Sequence, residues 1–362
     1  MTRRRILLTG ACSLTGSHIL HQLMSSNVSV CAVVASRDKA EILQKQYSQH
    51  SSALLDFEIV PSKLRNMPGA YTEAFTGSPE PFDTIIHTAT ADSSDEADCL
   101  TRFINLETEN LVDFLRSIKE NAPRVRRVVI TTFLSPFAQW LVAPPAEHNA
   151  HGSNPSSPRT SEVDFEYVLA TSRASDNIVN DHLWKWAKDV GVGFDLVSVT
   201  APSVYGPSIW PPKNSTDFEE ANRRIWNICC NDPTDETTSP PYGIEYFTDV
   251  RDLAFAHVQA AFTPEAGNKR FVVSAGVVPP RGVITEFFLN RFPELGSRIH
   301  TGHSPPTRAL SGNTPLDLVD TTPTEAVLGV VKYRPFEETL TDLARQILEL
   351  NRRREWRRVI QS

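Results

Sequence analysis

Residues Ile6–Ile19 read ILLTGACSLTGSHI. An apolar run closed by a glycine, with a second glycine six positions on at the start of a helical pattern, describes a buried strand, a tight turn and a first helical turn. Such a junction aims backbone N–H groups and the positive end of a helix dipole at one point, which suits a phosphate. Gly10 and Gly16 take the first and last places of a G-x-x-G-x-x-G loop, and Ser13 takes the middle one. Ser13 carries a Cβ and so tolerates fewer backbone angles than glycine. The candidate pyrophosphate cradle is therefore Gly10, Cys12, Ser13, Leu14, Thr15 and Gly16. A tight strand-to-helix turn with no ligand is the other reading.

Outward from this junction, short apolar runs alternate with helical patterns. VSVCAVVAS, LDFEIV, DTIIHTATA, RVVITTF and FDLVSVTAPSVYGP read as strands; RDKAEILQKQYSQH, DCLTRFINLETENLVDFLRSIKEN and ASDNIVNDHLWKWAKDVG read as helices. This alternation predicts an α/β protein with a Rossmann-type, doubly wound parallel sheet. The stretch VAPPAEHNAHGSNPSSPRTSEVD is rich in Pro, Ser, Asn and His and reads as a long surface excursion. Beyond Gly206-Pro207 proline-rich segments separate single helices, and EYFTDVRDLAFAHVQAAF returns as a strand and a helix. The expected division is a dinucleotide-binding domain over 1–206, rejoined by 243–262, and a small interleaved C-terminal substrate lobe over 207–242 and 263–362.

Of the 362 residues, 40% are hydrophobic and 22% charged, enough for a sizeable core and unlike a disordered chain. A net charge of -7 argues against nucleic-acid binding as a main activity. The arginines of NRRREWRR read as the solvated end of a last helix, with an anionic partner surface as the alternative. The five cysteines show no zinc spacing, so reduced thiols and no metal are expected. No apolar run is long enough to span a bilayer, and MTRRR runs straight into the first strand without a leader pattern. The expectation is a cytoplasmic monomer or homodimer whose partner is a small hydrophobic substrate, with neither nucleic acid nor membrane.

The end of the second strand, VVASRDKAE, sets Arg37 and Lys39 where a basic residue would take the extra phosphate of NADP. Charges that merely solvate the first turn of a helix are the alternative. At this point the chain resembles the extended short-chain dehydrogenase/reductases. More narrowly, it is similar to fungal carbonyl and aldehyde reductases of the methylglyoxal/isovaleraldehyde type, relatives of plant dihydroflavonol reductases. The segments that carry the resemblance, in order and spacing over nearly the whole chain, are ILLTGACSLTGSHI, ASRDKAEIL, IIHTATA, FINLETENLV, RVVITTF, LWKWAKD, VTAPSVYGP and YFTDVRDLAFAHV. The resemblance implies an NADP(H) site, with Thr88, Ala89 and Thr90 along the cofactor and Pro202, Ser203 and Val204 near the nicotinamide. This sequence departs from it at Ala35, where NADP-dependent relatives carry an arginine, and at Ser62, where relatives usually have an aspartate.

That family reduces carbonyls with a serine, a tyrosine and a lysine. Tyrosine donates the proton, lysine lowers the tyrosine pKa, and serine hydrogen-bonds the oxygen as charge develops. The resemblance puts the serine at the third residue of TTF, so Phe133 holds its place; Thr132 has a hydroxyl but, one residue along a strand, faces the other side. Counting back from Trp184 puts Ser172 and Asp176 in the tyrosine and lysine positions. In this register all three catalytic positions have changed. A second register keeps Tyr167 as the acid with Arg173 as the nearby cation, although arginine holds its proton too tightly to relay it. Asp176 beside Ser172 reads as a general base or acid, or alternatively as a helix N-cap. The candidate catalytic set is Asp176, Ser172, Thr132 and Tyr167, and the candidate pocket lining is Phe133, Ala91, Tyr205 and Trp210. His87 and His257 read as structural.

Three functions are consistent with this pattern. The first is an atypical enzyme of specialised metabolism acting on a hydrophobic, carbonyl-bearing intermediate by non-redox chemistry: isomerisation, cyclisation, dehydration or aldol-type reaction. The second is NADPH-dependent carbonyl or aldehyde reduction, with Tyr167 or the substrate supplying the proton. The third is a catalytically inactive binding or scaffolding protein.

Overall fold

The computed structural model describes residues 3–26, 28–49, 54–78, 80–88, 100–133, 179–210, 212–230, 246–296, 299 and 319–361. Their centre is a parallel seven-stranded sheet in the order β3-β2-β1-β4-β5-β6-β9. The strands are β1 (Arg5–Thr9), β2 (Ser29–Val34), β3 (Leu55–Ile59), β4 (Thr84–His87), β5 (Arg127–Phe133), β6 (Asp195–Ala201) and β9 (Arg270–Val272). Every residue of β1, β2 and β4 is buried. Helices covering both faces make this so, and it is why these strands read as unbroken apolar runs.

Alternate residues divide the sheet between two cores. Ile6, Leu8, Val30, Ala32, Ile86 and Val129 pack with α1 (Leu14–Met24) and the helix Val250–Phe262. Leu7, Cys31, Val33, Ile85, Val128 and Ile130 face α3 (Thr72–Thr76), α4 (Leu100–Asn121) and a helix over 179–189. The strand order reverses at β1, because β2 and β3 (connected through α2, Arg37–Gln46) lie on one side of it and β4 on the other. Ligands of such sheets bind in the crevice that this reversal opens beyond the carboxyl ends of the strands. There the Thr88 hydroxyl donates to the Thr9 carbonyl at 2.9 Å, and the Thr88 N–H to the Thr9 hydroxyl at 3.2 Å.

A second unit has its own core. β7 (Ser203–Tyr205), β8 (Tyr246–Asp249) and β10 (Gly276–Val277) form a small sheet in the order β10-β8-β7. Tyr205, Phe218, Trp226, Phe247, Phe288 and Phe336 cluster beside it with the helices Glu220–Cys230, Arg281–Arg291 and Phe336–Gln361. The buried carboxylate of Asp249 joins the two units. It accepts from the Arg251 backbone and guanidinium and from the Thr339 hydroxyl, while Arg251 also reaches Asp342 at 2.7 Å. Burial alone would raise the Asp249 carboxyl, but these hydrogen bonds outweigh it and hold the group below its ordinary range.

Two expectations from sequence need correction. The lobe boundary at 263 is crossed twice: β9 completes the large sheet beside β6, and the helix Thr322–Leu328 packs Leu328 and Val330 into the first core. Conversely, β8 belongs to the small sheet although the helix that follows it covers the large one. Tyr205, expected in the pocket lining, is fully buried and edge-on to Phe336, so it serves the core of the second unit.

His87 and His257 are buried, as their sequence positions suggest. His87 stacks on Phe114 and bonds the Thr9 hydroxyl through Nδ1 at 2.9 Å. His257 Nδ1–H donates to the Leu253 carbonyl, which leaves Nε2 to accept from the Thr131 hydroxyl. Burial pushes the two rings down to about 3 and about 4. The unfolded chain protonates histidine near its ordinary value, so the stability these neutral rings confer is whole above about pH 6.5 and falls as the pH drops below it. Urea midpoints are expected to fall from about pH 7 to about pH 5, at a scale of about 1.4 kcal/mol per pH unit for each ring. His257→Gln is expected to reduce the fall; a variant that keeps the wild-type slope would remove His257 as a contributor.

Candidate functional site

The β1–α1 junction is built on two glycines and one serine. Gly10 turns the chain at φ 65°, in the left-handed region open to glycine. Gly16 lies so close to the Gly10 carbonyl that a Cβ there would overlap it. Ser13 sits at φ -71° and ψ 168°, ordinary extended backbone, so a side chain in the middle place strains nothing. Its N–H donates to the Gly10 carbonyl at 2.9 Å, and its hydroxyl oxygen caps α1 by accepting from the Gly16 N–H at 3.0 Å. Leu14 opens the helix, and its N–H is one the cap leaves free.

That N–H donates instead to Oε1 of Glu219 at 2.8 Å. Glu219 directly precedes the helix Glu220–Cys230 and was not singled out in the sequence, where it reads as one more acid at a helix start. The residue keeps an exposed surface, yet the protein around its carboxyl pushes that group above its ordinary range, with the Leu14 N–H pulling the other way. One turn further on, Asn222 accepts from the Gly206 N–H at 3.1 Å and donates to the Gly206 carbonyl at 2.7 Å. His18 of α1 donates from Nε2 to the Pro207 carbonyl at 2.8 Å. The β1–α1 junction is thus tied directly to the start of the second unit.

Beside the loop, the Ser36 hydroxyl caps α2 at the Lys39 N–H. Arg37 and Lys39 are exposed, and neither is paired with a carboxylate among the described residues. Burial raises the Cys12 thiol, and the nearby Lys39 charge pulls it part of the way back, so Lys39 acts on the loop. Thr88 is turned toward β1 by its hydrogen bonds to Thr9. Pro202 is buried, while Ser203 and Val204 are half-buried at the start of β7, beside β8. Ala89, Thr90 and Ala91 lie outside the described residues, as do Tyr167, Ser172, Arg173 and Asp176.

The candidates on β5 divide as strand geometry requires. Thr132 is buried, and its hydroxyl is committed to Ser198 at 2.9 Å and Thr200 at 2.8 Å. It is a satisfied member of a hydroxyl cluster between β5 and β6, which corrects its place in the catalytic set. Phe133, the last residue of β5, is half-buried opposite Ala201 and lies on the other face by the two-residue period. Trp210 donates from Nε1 to Gln46 at the end of α2 and packs on the first core. α2 runs back from the crevice toward the start of β3, so this contact lies at the end away from the crevice and takes Trp210 out of the expected pocket lining. Among the described residues, no cluster of histidines, cysteines and carboxylates is arranged to hold a metal ion, and no helix is long and apolar enough to cross a membrane.

A doubly wound sheet with an anion-binding helix start at its switch point defines a Rossmann-type protein. No family model matches the chain. It is 28% identical over 303 residues to ketoreductase azaE of Aspergillus niger, spanning 82% of this chain and 85% of that one. It is 24% identical over 357 residues to the NADPH-dependent methylglyoxal reductase GRE2 of Saccharomyces cerevisiae, spanning 96% and 99%. The structure of yeast methylglyoxal/isovaleraldehyde reductase Gre2 complexed with NADPH matches it with a TM-score of 0.69 at 23% identity, over 96% of this chain and 99% of that one. In sequence and fold the chain is thus similar to fungal ketoreductases and NADPH-dependent methylglyoxal reductases, in line with its resemblance to the extended short-chain dehydrogenase/reductases.

The junction geometry gives a contrast between two substitutions. Gly16→Ala is expected to cost about 3 kcal/mol or more, because the new methyl group meets backbone that cannot move without shifting β1 or α1. Ser13→Gly is expected to cost only a few tenths of a kcal/mol, about the difference between the two residues as N-caps. Urea midpoints of the two variants check both; similar losses would show that the Gly10–Gly16 approach is not the tight contact.

Proposed function

We propose that the protein is a cytoplasmic, NADP(H)-dependent carbonyl reductase acting on a small hydrophobic aldehyde or ketone. The observation that carries this reading is the anion-ready start of α1, whose Leu14 N–H already holds a carboxylate, flanked by Arg37 and Lys39, which are exposed and pair with no carboxylate among the described residues. This donor set fits a dinucleotide. Leu14 and the helix start would hold the pyrophosphate, and Arg37 and Lys39 the phosphate on the adenosine ribose. Thr88, Ala89 and Thr90 would line the cofactor, with Pro202, Ser203 and Val204 toward its nicotinamide. The names of the relatives support reduction over the non-redox chemistry also considered from sequence, since they are a ketoreductase and an NADPH-dependent methylglyoxal reductase.

When bound, the cofactor supplies a hydride to the carbonyl carbon. The chain must then position the carbonyl and deliver a proton to its oxygen. Phe133, in the place of the family's serine, offers an apolar wall and no hydrogen bond, so oxygen stabilisation falls to other groups. Tyr167 is the proposed proton donor, with Arg173 as a fixed positive charge that favours its ionised form. In this reading Ser172 and Asp176 take no part in moving the proton.

The test follows NADPH consumption by the purified protein with a panel of hydrophobic aldehydes and ketones. Tyr167→Phe is expected to lower turnover by about a hundredfold or more, the scale of general-acid catalysis. Asp176→Asn is expected to keep activity within about threefold, since in this reading its carboxylate moves no proton. A protein that binds NADPH but oxidises none of it with any carbonyl of the panel would return the reading to non-redox chemistry, and an Asp176→Asn variant that alone abolishes turnover would move the proton-donor role from Tyr167 to Asp176.

A further inference from the structure

We infer that Glu219 is a built-in competitor for the pyrophosphate site, its carboxylate holding the Leu14 N–H until a dinucleotide displaces it. The inference rests on the dinucleotide-binding reading above and adds to it the residue that sets the affinity. Its first support is chemical. A helix start attracts anions, and a carboxylate and a phosphate oxygen take the same N–H donor in the same way. The Leu14–Glu219 bond, at 2.8 Å, joins the phosphate loop to a residue of the second unit.

The second support is that α1 does not need Glu219 as a cap. Ser13 already caps the helix through the Gly16 N–H, so Glu219 takes the donor that the loop leaves for a ligand. The third is that the carboxylate is held there from its own side. Phe218 before it is buried in the second core, the turn Ser215–Asp217 is closed by a capping box with Asn214, and Asn222 after it clamps Gly206 through two hydrogen bonds. Glu219 therefore stands on a supported segment that presents an acid to the cradle. Its neighbour Glu220 faces elsewhere and pairs with Arg224 at 2.5 Å, which makes it the natural control.

The experiment measures dissociation constants by titration for wild type, Glu219→Gln and Glu220→Gln. The probes are NADPH and adenosine 2′-monophosphate, which carries the adenosine and its 2′-phosphate but no pyrophosphate. Glu219→Gln is expected to bind NADPH about tenfold more tightly than wild type, the scale set by one charge-assisted hydrogen bond and the repulsion lost with it, while Glu220→Gln stays within about twofold. Adenosine 2′-monophosphate is expected to bind all three proteins alike. Equal or weaker NADPH binding by Glu219→Gln overturns the competitor and leaves the reductase reading standing. An equal gain for adenosine 2′-monophosphate overturns it too, by showing a general charge effect. Failure of all three proteins to bind NADPH overturns both readings.

Discussion

Where α1 leaves β1, Gly16 and the Gly10 carbonyl approach so closely that no side chain fits between them, and this contact sets the position of the helix over the sheet. Much else depends on that position. It turns the Leu14 N–H to the crevice, brings His18 to the Pro207 carbonyl, and lays Ile19, Leu20 and Leu23 against the core shared with the helix Val250–Phe262. A helix begun one residue later would rotate each of these groups by about 100°. The neighbouring strand ends are held to the same standard by Thr9, whose carbonyl and hydroxyl are both used by Thr88. The crevice is thus shaped by backbone and short side chains, which have little freedom to drift.

Charge is used in two separate ways. The pairs that join the two units are partly enclosed, with Asp249 and Asp252 buried: Arg251 with Asp249 and Asp342, and Arg334 with Asp252. Each of these carboxylates is held by backbone or side-chain donors, as a buried charge must be. The groups around the crevice are different. Arg37 and Lys39 stay in solvent, where keeping a charge costs little and an arriving anion can still claim it. Glu219 lies between the two kinds, solvent-touched along its side yet drawn inward by one N–H.

The large sheet was legible in the sequence because buried parallel strands advertise themselves. RILLT, SVCAVV and TIIH each centre on an apolar run, ILL, VCAVV and II, that the helices on both faces bury. Legibility failed where an element is short or where a side chain is settled by a distant partner. β9 is only RFV, too brief for any period to emerge, and is a strand because β6 lies open beside it. Thr132 looked available until β6 placed two hydroxyls next to it, and Tyr205 looked like a pocket residue until Phe336 closed over it. Glu219 was hidden for the same reason. Its local sequence describes a helix start, whereas its partner lies in the first turn of the chain's first helix. Of the expected catalytic groups, only Thr132 falls within the described residues.

The placement of β9 also bears on how the chain is made. β6 is complete by Ala201, yet its free edge is covered only when Arg270–Val272 arrives, and Thr324 then fastens that strand by donating to the Val272 carbonyl at 2.7 Å. During synthesis from the N-terminus, the first six strands of the sheet therefore exist for a time with an unpaired, apolar border. The two structural units cannot be separated into two successive folding events, because the later one carries the last strand of the earlier. A nascent chain halted between the two would present β6 as a template for a strand from any neighbour, so translation through the final third is itself a protection against aggregation.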